Sequence, residues 1–85
     1  MSSAFKRITL ELRKLTPRER NFIFNFMATK TGNRSIDNRN LLFDLNLYRY
    51  KNTSRLKRLF EMMYDLSDIE LKKLSKAFGI GRDDY

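Results

Sequence analysis

Apolar side chains recur along most of this chain at steps of three and four, the period of a helix that turns one face inward. Phe5, Ile8, Leu12 and Leu15 form the first such stripe, with Arg7 and Glu11 at i and i+4 for a surface pair. Thr16-Pro17-Arg18-Glu19 then predicts the start of a second helix. The Thr hydroxyl can accept a free backbone N–H, Glu19 can reach back, and Pro17 sits where no donor is required. The second stripe is Phe22, Ile23, Phe26 and Met27, ended by Gly32, a residue free to take the left-handed conformation. Phe24 lies off that stripe, beside Asn21, Asn25 and Ala28. Either the core wraps this helix on two sides or Phe24 lies at a subunit contact.

Residues 38–51 admit two readings. Asp37 can cap a helix that carries Leu41, Leu42, Leu45 and Tyr48, whereas Leu41, Phe43, Leu45 and Leu47 also alternate as a strand would. Helix is the preferred reading, because a lone strand finds no partner elsewhere in the chain and would have to pair across a homodimer. Thr53 or Ser54 is expected to cap the next helix, which carries Leu56, Leu59, Phe60 and Met63 on one face. Ser67-Asp68-Ile69-Glu70 repeats the capping box, and the last helix uses Leu71, Leu74 and Phe78, turns Lys72, Lys73 and Lys76 outward and ends at Gly79 and Gly81. The expectation is a single all-α domain over 1–85, a small bundle of about five helices. Residues 3–28 and 54–79 match at core and cap positions, and both carry a Lys-Arg pair, at Lys6-Arg7 and Lys57-Arg58. Two similar helical hairpins, or convergence of two capped helix pairs, would produce that match.

Charge changes the picture more than length does. The chain of 85 residues has a net charge of +8 and a pI near 10.1, with its positive charge concentrated in residues 1–58. A polyanionic partner is the leading expectation. With no Cys and no His, disulfides, thiolate nucleophiles and the commonest general base and metal ligand are excluded, and no cofactor or metal site is expected. Glu19 and Glu70 are taken up by capping boxes and Glu11 and Glu61 by surface pairs, so no catalytic residue is assigned and the chain is not read as an enzyme. The first residues lack the apolar core of a signal peptide and no run is long enough to span a membrane, which makes a cytoplasmic protein the expectation.

The sharpest local signal runs from Tyr48 to Arg58. Arg49, Lys51, Arg55, Lys57 and Arg58 alternate there with Tyr48, Tyr50 and polar donors, with no acid among them. Cations of this kind neutralise phosphates and tyrosine faces stack on bases. These residues, with Lys6 and Arg7 as a second basic pair, are the candidate nucleic-acid-binding set. The competing reading makes Tyr48 and Tyr50 half-buried core residues and the cations a solvated helix start. RNA or another single strand is expected ahead of duplex DNA, because no complete groove-reading helix is visible.

Leu15-Thr16-Pro17-Arg18-Glu19-Arg20 resembles the opening of the LuxR-type helix-turn-helix domain. That resemblance would imply a DNA-binding regulator, but the Asn33–Asn38 stretch and the Leu-rich run after it depart from the family pattern, and a capping box alone explains the string. Leu71–Asp83 is similar to the first helix and turn of many helix-turn-helix motifs, with Gly79 read as a plain helix cap. In size, in lacking Cys and His, and in its Asn, Lys, Arg and Phe content, the chain is similar to small basic accessory proteins of T-even-like phages. Some of these are RNA-binding inhibitors of RNA-cleaving toxins, so this resemblance implies an inhibitor working in a host cytoplasm. The alternative partner class is an acidic host protein on which the basic face docks, and a homodimer would double the positive field.

Overall fold

Both capping boxes form. Glu19 N–H donates to Thr16 Oγ1 at 3.2 Å and Thr16 N–H to Glu19 Oε1 at 2.9 Å, and the Ser67–Glu70 pair repeats this at 3.2 and 3.0 Å. They start α2 (Pro17–Ala28) and α5 (Asp68–Ala77) in a computed structural model that describes residues 3–80. The other helices are α1 (Ser3–Arg13), α3 (Arg34–Tyr48) and α4 (Thr53–Met63), giving the expected all-α bundle. Gly79 takes a positive φ directly after α5, as expected, whereas α2 ends at Thr29 with φ −105° and Gly32, also at positive φ, lies in the loop just before Asn33; Gly81 lies outside the described residues. Arg20 covers one carbonyl in the last turn of α1 and one in the turn after it, its Nη1 donating to Leu12 O at 3.2 Å and Leu15 O at 2.9 Å.

The middle segment is helical, and it begins earlier than the sequence suggested. Asn33 caps α3 by accepting from Ile36 N–H, and Asp37 sits one turn inside. The Asp37 carboxylate folds back over the preceding loop instead, taking Thr31 N–H at 2.9 Å and the Thr31 hydroxyl at 2.9 Å. The strand-like alternation arises because α3 is apolar on two opposite faces: Leu41 and Leu45 are buried, whereas Phe43 and Leu47 are exposed. Neither Thr53 nor Ser54 caps α4, which follows Asn52 with no side-chain cap at all.

α4 is the centre of the packing and lies against α1, α2 and α3. Its stripe of Leu56, Leu59, Phe60 and Met63 meets Ile8 and Leu12 of α1, Ile23, Phe24 and Met27 of α2, and Leu41 and Leu45 of α3 in one continuous core. Phe24 is fully buried in that core, so α2 is wrapped on two sides and Phe24 is not a subunit contact. The hairpin correspondence extends to backbone detail only at the helix starts. The caps Thr16 and Ser67 have φ, ψ of −69°, 159° and −72°, 162°, but α2 has 12 residues and α5 has 10, so their C-caps, Thr29 and Phe78, fall at positions that do not correspond. It does not extend to burial, since Glu19 is buried where Glu70 is half-exposed, and Arg20 occupies the place of the buried Leu71.

Candidate functional site

The four-residue turn between α3 and α4 organises the site. Arg49 ends α3 at φ 54° and ψ 48°, and among the described residues it is the non-glycine with positive φ. Its N–H and that of Tyr50 both donate to Leu45 O, reversing the chain. The reversal brings Tyr50 to the start of α2, where its ring lies 4.9 Å from the Phe22 ring and 4.7 Å beneath the Arg18 guanidinium. Asn52, next along, donates through Nδ2 to Glu19 Oε2 at 3.2 Å. The side chain placed to cap α4 is therefore committed to α2, which explains why the first N–H groups of α4 lack a side-chain acceptor.

Beside this turn lies a groove of about 370 Å³ lined by Phe22, Asn25, Phe26, Thr29, Asp44 and Tyr50. Helical spacing puts Arg18, Phe22, Asn25, Phe26 and Thr29 on one face of α2, so the groove is that face with Tyr50 closing one end. Tyr50 is half-buried and packs on the core edge, while Arg49 and Lys51 on either side of it remain exposed. Tyr50 thus has the half-burial of a core-edge tyrosine and also lines the groove. Tyr48 closes α3, and its side chain lies outside the described part of the structure. Arg18, Phe22, Phe26 and Asp44 were missed as site residues. Their signal was present in the helical spacing of α2, but only the chain reversal at Arg49 shows which residues that face meets.

The remaining candidates fall elsewhere. Arg55, in the first turn of α4, and Arg58 project toward α1, where their charges act on Glu11. Glu11 pairs with Lys14 at 3.2 Å and not with Arg7 as its spacing suggested, and Glu61 makes no ion pair among the described residues. The Lys14 hydrogen bond, aided by the Lys14, Arg55 and Arg58 charges, holds the Glu11 carboxyl below its ordinary pKa against a smaller desolvation penalty. Arg7 shares the Glu11 face of α1, whereas Lys6 lies on the opposite flank of that helix and half-buried Lys57 on the opposite flank of α4. The nine candidates therefore split: Arg49, Tyr50 and Lys51 at the turn, Arg7, Arg55 and Arg58 along the α1–α4 seam, and Lys6 and Lys57 apart, with the Tyr48 side chain undescribed.

A separate polar cluster locks the far end of α3. The Tyr64 hydroxyl donates to Asp37 Oδ2 at 2.7 Å in the interior, Lys30 donates to the Tyr64 carbonyl, and Lys30 and Arg34 each lie 4.9 Å from the Tyr64 ring. Burial pushes the Asp37 carboxyl up, but the N–H groups of Thr31 and Gly32 and the hydroxyls of Tyr64 and Thr31 outweigh it and hold the group below its ordinary range. Burial and the same hydrogen bond raise the Tyr64 hydroxyl. These groups are saturated by one another, which makes the cluster a fold element and not a reactive centre.

No known protein family, curated sequence or solved structure matches the chain. No described helix is long and apolar enough to cross a membrane.

Proposed function

We propose that this protein binds single-stranded nucleic acid, RNA ahead of duplex DNA, without acting on it chemically. The observation that carries the reading is Tyr50, whose ring walls an aromatic groove between two exposed cations, Arg49 and Lys51. A base laid against Tyr50 and Phe22 gains stacking that does not depend on its identity, while the cations and the open N-terminal turn of α4 accept the adjoining phosphates. Asn25 and Thr29 offer hydrogen-bonding groups to a base edge. Arg55 carries the positive surface from the turn onto the α1–α4 seam, where Arg7 and Arg58 extend the track. A groove-reading helix suits the molecule less well, because the solvent face of α3 carries Ile36, Phe43 and Leu47 where base-edge donors and acceptors would be needed.

The test is fluorescence anisotropy with short labelled single-stranded RNA, single-stranded DNA and duplex DNA across about 50–200 mM salt. Single strands are expected to bind more tightly than duplex, with a log-log salt slope of about −0.7 per phosphate contact. Tyr50→Leu should weaken single-strand binding by about 1–3 kcal/mol and duplex binding less, with the strand recovered uncut. Equal affinity for single strands and duplex together with indifference to Tyr50→Leu would overturn the reading, as would absence of binding. An acidic host protein would then be the partner class to pursue.

A further inference from the structure

The outer face of α3 carries an apolar stripe that the domain itself does not cover. At about 100° per residue, Ile36, Asn40, Phe43 and Leu47 fall together opposite the buried Leu41 and Leu45. Ile36 is 40% exposed, Phe43 67% and Leu47 63%, and no charged residue interrupts them. Their steps of four, three and four are those of a coiled-coil seam, with Asn40 and Leu47 at a positions and Ile36 and Phe43 at d positions. That register puts Arg39 at g and Asp44 at the next e.

These two flanking charges decide what covers the stripe. In a parallel pair of such helices the g flank of one faces the e flank of the other, which sets Arg39 against the partner's Asp44 twice over. In an antiparallel pair like flanks meet, so with Ile36 opposite Leu47 and Asn40 opposite Phe43 the Arg39 side chain would face the partner's Asn46 and neither ion pair would form. Neither Arg39 nor Asp44 forms an ion pair within the chain among the described residues. An Asn at a single a position is the device that fixes register and a two-stranded state, since the two amides can bond across the seam. The complement to this face is therefore written on the face itself. We propose that α3 pairs in parallel with α3 of a second copy through Ile36, Asn40, Phe43 and Leu47, flanked by reciprocal Arg39–Asp44 ion pairs. A seam this short forms a reversible, concentration-dependent dimer rather than an obligate one.

One consequence rests on the nucleic-acid reading above, while the dimer does not. Asp44 also lines the aromatic groove, where its charge opposes a phosphate. The partner's Arg39 would neutralise it and bring a further cation to the rim, so dimerisation would tighten single-strand binding.

The chain has no Cys, so Asn40→Cys introduces a lone thiol at the a position, where a parallel pair brings the two Cβ atoms within disulfide reach. Asn40→Cys should oxidise readily to a covalent dimer while Asn46→Cys, on the flank, does so far more slowly. Sedimentation of the unmodified protein should show a monomer–dimer equilibrium, lost in both Phe43→Lys and Leu47→Lys with helical circular dichroism retained. Arg39→Asp should weaken the dimer, and Arg39→Asp with Asp44→Arg should restore it. A protein monomeric at all concentrations, equal crosslinking of the two thiol variants, or an Arg39→Asp variant that dimerises more tightly would each overturn the proposal. These measurements use no nucleic acid. A dimer that binds no strand would remove only the proposed function, and a monomer that binds one would remove only this inference.

Discussion

Arg49 holds a conformation that glycine would hold more cheaply, and replacing it separates stability from function. An L side chain in the left-handed region costs roughly 1–2 kcal/mol. Arg49→Gly removes that cost and returns about 0.5–1 kcal/mol through the greater freedom of glycine in the unfolded chain. The backbone N–H donated to Leu45 O survives the change, because it belongs to the main chain. The expected net gain is about 0.5–1 kcal/mol, a rise in melting temperature of roughly 2–8 °C for a domain of this size. Arg49→Asn serves as a second variant, since Asn tolerates the same φ without the full entropy loss. If Arg49 contacts phosphate, both variants should bind single strands more weakly, with the salt slope shallower by about 0.7. Thermal denaturation and salt-dependent anisotropy on the same samples read both effects. A less stable Arg49→Gly would refute the strain argument. A more stable one with unchanged affinity and slope would show that the cation has no part in binding.

Asp37→Asn should cost about 1.5–3 kcal/mol at neutral pH by weakening hydrogen bonds to a buried charge, measured by urea denaturation. Because the folded-state pKa of Asp37 is depressed, its contribution is present above the unfolded value near 3.8 and lost as pH falls through the lower folded value. The variant should therefore show a flatter acid limb of stability. Tyr64, whose folded pKa is raised, has the opposite sign: its contribution is intact below about pH 10 and lost as pH rises through the folded value, so Tyr64→Phe should flatten the alkaline limb. Phe24→Ala should cost about 3–5 kcal/mol from the cavity left in the core, while Phe24→Leu retains the fold and leaves the oligomeric state in sedimentation unchanged.

The parts of the fold readable from sequence were those decided within one turn of chain. Thr16–Glu19 and Ser67–Glu70 satisfy each other across three residues, so the starts of α2 and α5 could be placed without knowing anything else. The start of α3 could not. Asp37 looks like a cap in sequence, but the groups that claim its carboxylate are Thr31 across the preceding loop and Tyr64 on another helix, and that leaves Asn33 to do the capping. The site shows the same division. The cations around Tyr50 are contiguous in sequence, whereas the ring's neighbours Phe22 and Arg18 are brought to it by the left-handed turn at Arg49, a conformation that sequence does not suggest for an arginine. The Lys-Arg pairs at 6, 7 and 57, 58 misled for a related reason. Adjacent residues on a helix point about 100° apart, so each pair contributes one cation to the α1–α4 seam and sends the other away from it.

Glu19 ties these observations together. One carboxylate oxygen closes the capping box that starts α2, and the other takes the Asn52 amide, holding the α3–α4 turn against the same helix end. The contact that fixes a helix boundary therefore also positions the turn that carries Arg49, Tyr50 and Lys51, and it leaves the start of α4 without its own cap. Asp37 is likewise buried and satisfied by neutral donors. Two carboxylates of a chain already short of them are thus withdrawn from the surface, and the ion pairs among the described residues, Glu11–Lys14 and Arg34–Asp65, lie away from the turn. The cations at Arg18, Arg49 and Lys51 form no ion pair among the described residues, and the acids beside them are Glu19, buried and bonded to Thr16 and Asn52, and Asp44 in the groove. An anion approaching the Tyr50 edge meets a positive field set by how the acids are folded away as much as by the number of bases.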